Sequence, residues 1–195
     1  AIDTHTYMKK KSFSYELNDT NGIENFVKNF AKAYYSWDTS KEAIEARTTE
    51  ISKYLTKELQ DLNSDTIRTD IPNSATVTNV LVWNVKQSGT DDFTVAYEVD
   101  QQIKEGEQTQ AVTENYTVTV HVDKDGAMAI TQNPTLAPVS GDYVFSELVN
   151  PVFTKDGDNL KVSVSVKYLD NKSKMTQISQ YELVLHKDDN WKIVE

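Results

Sequence analysis

The chain has 195 residues, a formal net charge of −10 and no cysteine. Without cysteine it cannot form disulfides, use a thiolate nucleophile or bind zinc through sulfur. The acidic balance disfavours a surface that binds nucleic acid directly through its phosphates. No apolar run reaches the eighteen or so residues of a membrane-spanning helix. The length suits one large domain or two small ones.

Residues 1–20 show no sustained periodicity and are predicted to form an extended lead-in. They contain the basic cluster Lys9-Lys10-Lys11. Such a charge run is most often a solvated terminus. Its functional alternative is a basic segment just outside a bilayer.

The clearest helical pattern begins near Asn21, which is predicted to cap a helix because Glu24 follows three residues later. Apolar residues then recur at steps of three and four, as on one face of a helix. The stripe is rich in aromatic residues, so we expect it to pack against a sheet. It consists of Ile23, Phe26, Val27, Phe30, Tyr34 and Trp37.

Two shorter helices are predicted before the first strand. Thr39 and Glu42 repeat the capping-box spacing and open a helical stretch through Ile44. A further helix carries an apolar side made of Ile51, Leu55, Leu59 and Leu62. The turn residues Pro72-Asn73-Ser74 then lead into strands.

A strand pair occurs twice in the second half of the chain. The alternating segment Tyr116–His121 is matched by Tyr181–His186, and each is followed by a polar turn and a short apolar strand. Ahead of them, Phe93–Val99 is matched by Leu160–Val166. An internal repeat of this kind predicts two structural units.

The first unit, residues 21–133, is predicted to be an α+β domain with helices on the concave face of a curved antiparallel sheet. Residues 134–141 carry two prolines and are assigned as the linker. Residues 142–195 are predicted to be the sheet half of a second such domain. Its helical half has no counterpart, so the face formed by Leu160–Val166 would lie uncovered. Either a neighbouring subunit covers it, or residues are missing between Ser140 and Asp142. We favour the second explanation.

Four segments together resemble the TcpC family of conjugative-transfer proteins, from mobile elements of Gram-positive bacteria. They are Asn21–Trp37, Tyr54–Leu62, Val77–Val80 and Asp142–Val149. The resemblance implies two cone-shaped domains of the nuclear-transport-factor-like (cystatin-like) type. It also implies likeness to the VirB-type component of type IV secretion systems.

The same resemblance implies a bitopic membrane protein with one transmembrane helix upstream of this chain. The chain would then lie on the extracytoplasmic side of the cell membrane, with Lys9–Lys11 nearest the bilayer. Family members scaffold the conjugation apparatus, form homotrimers and contact other conjugation proteins. The resemblance therefore implies a non-enzymatic assembly component without cofactors.

Cone domains also host enzymes, so an isomerase-like or small-ligand-binding function is the alternative. The available groups are Tyr34, Tyr35, Asp38, Tyr97 and Asp100. Alternation places Asp100 on the outer face, and Asp38 follows the helix, so no acid is expected to face a cavity lined by Tyr34 and Tyr97. We predict no catalytic, cofactor-binding or metal-binding residues. The cup is expected to be filled by Phe26, Phe30, Tyr34, Trp37 and Tyr97.

Two further predictions concern surfaces. Val80 and Val82 make the second face of their strand apolar, which indicates either an oligomer interface or cover by the helices. Trp83 and Trp191 are expected in the core. His121 and His186 alternate with apolar residues and are expected on the surface.

Overall fold

The computed structural model describes residues 20–70, 73–136 and 143–194. Most of the predicted lead-in, including Lys9–Lys11, and the end of the linker lie outside these ranges. Helix α1 covers residues 20–34. The other elements are β1 (Trp37–Asp38), α2 (Lys41–Ser52), α3 (Lys57–Leu62), β2 (Asn73–Gln87), β3 (Asp92–Glu105), β4 (Gln108–Val122), β5 (Met128–Leu136), β6 (Tyr143–Asp156), β7 (Asn159–Asp170), β8 (Thr176–Lys187) and β9 (Trp191–Ile193).

The strands form two antiparallel sheets, ordered β1-β2-β3-β4-β5 and β6-β7-β8-β9. The registers reproduce the internal repeat. Tyr97 on β3 pairs with Tyr116 on β4, and the corresponding Val164 on β7 pairs with Tyr181 on β8. Strands β6–β9 therefore repeat β2–β5. The α+β prediction is confirmed: across the described residues, three helices accompany two curled antiparallel sheets.

Helix α1 packs its apolar stripe onto the first sheet. Ile23, Val27, Phe30 and Tyr34 are fully buried, and Phe26 is half-buried against them. Each such side chain contributes about 1.5–3 kcal/mol on burial. Asn21 is already helical, so it does not cap α1 as predicted.

The predicted boundaries around the other helices need correction. Trp37 lies in β1, paired with Ala75, rather than on the helical stripe. The cap of α2 is Ser40, whose Oγ accepts from the Ala43 N–H at 3.2 Å. Helix α2 also runs past Ile44 to Ser52.

The segment between α2 and α3 is pulled onto the sheet, which interrupts the helix predicted from Ile51 to Leu62. Leu55 forms a parallel bridge with Ile130 of β5. The Ile130 N–H donates to the Tyr54 carbonyl at 2.7 Å, and the Thr56 N–H donates to the Ile130 carbonyl at 3.2 Å. Because these backbone groups bond to a strand, they cannot continue a helical ladder.

Strand β5 extends through Pro134 to Leu136, three residues into the predicted linker. Leu136 pairs with Tyr116 of β4. Proline is tolerated here because β5 is the edge strand of its sheet.

Two bulges decide which side of β2 faces the core. They lie between Val77 and Asn79 and between Val82 and Asn84. Val80 is buried and Val82 half-buried against the core, so Val80 is not available to a second subunit. Trp83 is 60% exposed on the outer face, where its Nε1 donates to Asn115 Oδ1 at 3.0 Å.

Trp191 is also 48% exposed, so placing either tryptophan in the core was wrong. It is the first residue of the short edge strand β9, which pairs only with β8. Alternation alone could not show that this face of the second sheet has little to pack against.

The two sheets meet through the β7–β8 hairpin. Residues 168–178, which we call the docking hairpin, enter the open end of the first unit. Met175 and Ile178 are fully buried and Tyr168 nearly so, and all three belong to the same hydrophobic cluster as the α1 stripe. At the edge, the Thr176 N–H donates to the Thr66 carbonyl at 3.3 Å. One core therefore serves both units.

Candidate functional site

The interior of the first unit is filled by tyrosine rings. Tyr34, Tyr35, Tyr97 and Tyr116 are all essentially unexposed. The ring of Tyr35 lies 4.5 Å from that of Tyr116, and the Tyr35 and Tyr97 hydroxyls are 2.9 Å apart. With Phe30 and Trp37 also buried, aromatic side chains occupy the space between helix and sheet.

Burial governs the chemistry of these hydroxyls. It raises the pKa of Tyr35, Tyr97 and Tyr116 above the ordinary tyrosine value. Neighbouring tyrosines raise the pKa of Tyr35 further. The hydroxyls therefore stay neutral near neutrality and act as hydrogen-bonding groups.

The Tyr35–Tyr97 pair can be tested by deleting hydroxyls. Tyr35→Phe should lower the free energy of unfolding by about 1–2 kcal/mol, because it leaves the buried Tyr97 hydroxyl without this partner. The double variant with Tyr97→Phe should lose less than the sum of the two single variants. Urea unfolding of all four proteins measures this coupling. Strict additivity would contradict the pairing.

An acidic side chain lies at the mouth of the cone, where the docking hairpin enters. Glu114 is 5% exposed, and its Oε2 accepts from the Tyr116 hydroxyl at 2.8 Å. Gln177 of the hairpin donates from Nε2 to the same hydroxyl at 3.2 Å. Burial raises the pKa of Glu114 to about 8, and a hydrogen bond to Asp170 and its charge act in the same direction. Glu114 therefore holds a proton near neutral pH.

Glu114 was not among the residues predicted from the sequence. The available signal was its place in the alternation of β4, where Val112, Tyr116 and Val118 all point inward. An acid at an inward position indicates a buried carboxyl. The partner Asp170 could not be found in this way, because it lies on the other sheet.

A second polar chain crosses the seam between the two units. The Tyr34 hydroxyl donates to Asn63 Oδ1 at 2.7 Å, and Asn63 Nδ2 donates to Asn133 Oδ1 at 2.7 Å. Asn133 Nδ2 then donates to the Ile178 carbonyl of the hairpin at 3.0 Å. Helix α1, the end of α3, β5 and β8 are thus joined through buried amides.

The acids proposed for the enzyme alternative are not brought together with the tyrosines. Asp38 is exposed and accepts from the Ser40 N–H. Asp100 faces outward and accepts from the Thr113 hydroxyl. The acids near the cluster are Glu114 and its neighbour Asp170 of the hairpin, and a substrate there would have to displace the hairpin. A general base needs its substrate within hydrogen-bonding reach.

The two described histidines lie at the surface, as expected. His121 Nδ1 lies 2.9 Å from Asp92 Oδ1, and His186 Nδ1 lies 2.7 Å from Asn159 Oδ1. Within residues 20–70, 73–136 and 143–194, no three His, Asp or Glu side chains cluster as metal ligands would. Of the helices in this part of the chain, none combines the length and apolar character that crossing a bilayer requires.

An open groove of about 650 Å³ lies between the units. Its walls come from α3, β5 and the second sheet, and include Glu58, Gln132, Ser165, Gln180 and Glu182. The described residues lining it include two carboxylates and no basic side chain.

Comparison with known proteins finds four chains of solved structures that match, including two Ntf2-like proteins. An Ntf2-like protein involved in plasmid conjugation aligns over 88% of this chain and 93% of its own, with 13% identity and a TM-score of 0.47. The second is described as Ntf2-like, potential transfer protein TraM from Gram-positive conjugative plasmid pIP501. It aligns over 62% of this chain and 97% of its own, with 17% identity and a TM-score of 0.45. No curated protein matches the chain.

The sequence profile of one family matches the chain in two segments, residues 26–140 and 136–194. Together they span both sheets and all three helices apart from the first residues of α1. The chain belongs to the family of the conjugative transposon protein TcpC.

Proposed function

We propose that the protein is a non-enzymatic scaffold of a conjugative DNA-transfer apparatus of the type IV secretion kind. It acts by forming homo-oligomers, with a homotrimer as the expected state, and by contacting other transfer proteins. The observation that carries the proposal is the family match over both units. The filled interior of the first unit supports it, since aromatic rings occupy the position of a ligand cavity.

Self-association is supported by an apolar surface on the second sheet, which we call the open sheet face. Its strands pair so that large side chains share one side of the sheet, because directly opposed residues lie on the same face. These side chains are 41–65% exposed. They are Phe145, Leu148, Phe153, Tyr181 and Ile193.

The location is part of the same proposal. The chain would be the extracytoplasmic portion of a single-pass membrane protein, with an upstream transmembrane helix and Lys9–Lys11 close to the bilayer. Direct contact with DNA is not proposed, because the net charge of −10 disfavours binding to phosphates.

The second unit raises a related proposal about residues 134–141. Its sheet repeats the first sheet, which three helices cover, so the gene product would carry further residues between Ser140 and Asp142. Those residues would supply the helical half of the second cone and would cover the open sheet face, so this proposal is the alternative to self-association through that face. Peptide mass mapping of the protein purified from its native host decides this. A peptide in which Ser140, Gly141 and Asp142 follow one another directly would contradict it.

Two neighbouring residues of β6 provide a matched test of the scaffold. Phe153 lies on the open sheet face, paired with Val162, while Thr154 points to the other side, paired with Lys161. Phe153→Asp should convert the oligomer to a monomer in multi-angle light scattering and lower transfer from a complemented donor strain at least about tenfold. Thr154→Asp should leave both unchanged. A monomeric parent protein would contradict the proposal.

A second candidate function is binding of a small ligand, or isomerase-like chemistry, in the tyrosine-lined cone. The observation that favours it is Glu114, a buried acid beside Tyr116 that holds its proton near neutrality. Glu114→Gln removes the titrating group and keeps the shape. Unchanged DNA transfer by this variant would argue against an essential acid.

A further inference from the structure

We propose that the docking hairpin is a proton-dependent latch. When the Glu114 carboxyl is protonated, the hairpin stays in the mouth of the cone, and when the carboxyl ionises, the hairpin is released. The latch would couple the arrangement of the two units to the pH outside them.

Two buried carboxyl groups from different units lie at this seam, joined by a side-chain hydrogen bond between Glu114 and Asp170. Glu114 comes from β4, and Asp170, which is 1% exposed, comes from the end of β7. The Asp170 oxygens accept from the backbone N–H groups of Lys172 and Ser173, both at 3.2 Å. These bonds fix the turn of the hairpin. Two adjacent buried carboxylates cannot both be charged without mutual repulsion.

The other ionisable groups around Glu114 do not supply a buried counter-ion. On its own strand it faces Tyr116, which donates to it. From β7 and the following turn it faces Asp170, Tyr168 and Lys172. Lys172 is exposed, and its Nζ lies 3.4 Å from the Thr113 carbonyl. The positive charge of Lys172 lowers the pKa of Glu114, but this is the smallest of the effects on that pKa.

A proton shared between the Glu114 and Asp170 carboxyl groups removes the repulsion between them. Protonated Glu114 donates to Asp170, so the seam carries one negative charge instead of two. Gln177 reaches the same network through the Tyr116 hydroxyl at 3.2 Å, so the contact involves both strands of the hairpin. Releasing the hairpin would return Glu114 to water, where a carboxyl ionises readily.

The direction of the pH dependence follows from the pKa of Glu114, which is about 8 in the docked state. That value lies above the ordinary range for glutamate, near 4.3. Docking is therefore strongest below about pH 4.3 and weakens as the pH rises to about 8, by at most about tenfold per pH unit. Above pH 8 it changes no further. The response thus extends across neutrality.

The apolar side chains of the hairpin limit the fraction of molecules in which the hairpin is released. Met175 and Ile178 are fully buried in the docked state, so release exposes both of them. Loss of the proton from Glu114 opposes the burial of these two side chains. The fraction of molecules with a released hairpin therefore grows with pH, while both sheets stay folded. Release would also uncover the tyrosine cluster of the cone.

The absence of cysteine makes the latch directly measurable. Cysteines introduced at Lys86 of β2 and Lys155 of β6, both exposed, accept a fluorescent donor and acceptor on the two units. We expect the released fraction to grow between pH 5 and 9 while helical circular dichroism stays constant. Glu114→Gln should remain docked throughout. Glu107→Gln, in the exposed turn after β3, should behave like the parent.

Carboxyl carbon NMR of the parent protein gives a second readout that needs no variant to fold. One glutamate should titrate near pH 8, and its signal should be missing from Glu114→Gln. An inter-unit distance that does not change between pH 5 and 9 would overturn the proposal. So would a pH response that persists in Glu114→Gln, or glutamates that all titrate in their ordinary range.

Discussion

Arg47→Ala is expected to lower the free energy of unfolding by about 3 kcal/mol, through the loss of charged hydrogen bonds and buried packing. Arg47 lies on α2 and is almost fully buried. Its Nε and Nη2 both donate to the Tyr34 carbonyl, at 3.0 and 2.7 Å. This carbonyl is in the last turn of α1, where helical partners are lacking and the helix dipole is negative.

Within the part of the chain that the structure describes, the guanidinium forms no hydrogen bond to a carboxylate. Its third bond goes from Nη1 to the Thr66 hydroxyl at 3.4 Å, and its carbon lies 4.9 Å from the centre of the Tyr34 ring. Burial lowers the pKa of Arg47, while Tyr34 and Tyr35 act in the opposite direction. The helix end and the ring together replace the missing anion.

Two variants make the Arg47 result specific. Arg68→Ala removes a partly exposed arginine paired with Asp70, which is itself exposed, and should cost about 0–1 kcal/mol. Arg47→Met keeps most of the apolar packing and removes the donors. Urea unfolding of the three variants measures each loss. If Arg47→Met were as stable as the parent, the hydrogen bonds from Arg47 to the Tyr34 carbonyl at the end of α1 would not contribute to stability.

Asn63→Asp should be comparably harmful, lowering the free energy of unfolding by about 3–4 kcal/mol at pH 7. The change is isosteric, so packing is preserved. The amide nitrogen of Asn63 donates to the Leu59 carbonyl at 2.8 Å and to Asn133 Oδ1 at 2.7 Å. A carboxylate offers neither bond and places a charge beside two oxygen acceptors.

The loss in Asn63→Asp should depend on pH. The introduced carboxyl is buried, so its pKa in the folded state is raised above its value in the unfolded chain. The variant therefore loses stability relative to the parent as the pH rises above about 4. Unfolding at pH 4 and pH 7 checks this. Asn84→Asp, on the exposed side of β2, should cost less than about 0.5 kcal/mol at either pH.

The features that depend on local periodicity were predictable from the sequence. The α1 stripe follows from apolar residues at steps of three and four, and the alternation in Phe93–Val99 and Tyr116–His121 predicts strands β3 and β4. The repeat predicted two sheets, and their registers agree with it. The lack of cysteine excludes disulfides and thiolate chemistry, and the net charge of −10 disfavours direct binding to nucleic acid.

The features that depend on contacts between distant segments were not predictable. The bulges in β2 decide that Val80 is inside and Trp83 outside, although both faces of that strand are apolar in the sequence. The break between α2 and α3 depends on Leu55 meeting Ile130. Glu114 and Asp170 are far apart in the chain, and only the entry of the hairpin into the cone brings them together.

The docking hairpin also determines whether the two units could be encoded as separate polypeptides. The hairpin is held by buried side chains and by the amide chain from Asn133 to Ile178. The halves therefore recognise each other as complementary fragments. Encoded as separate polypeptides, they would lose chiefly the high effective concentration that a tether provides. A gene split between Leu136 and Tyr143 could in this way give rise to a two-subunit protein.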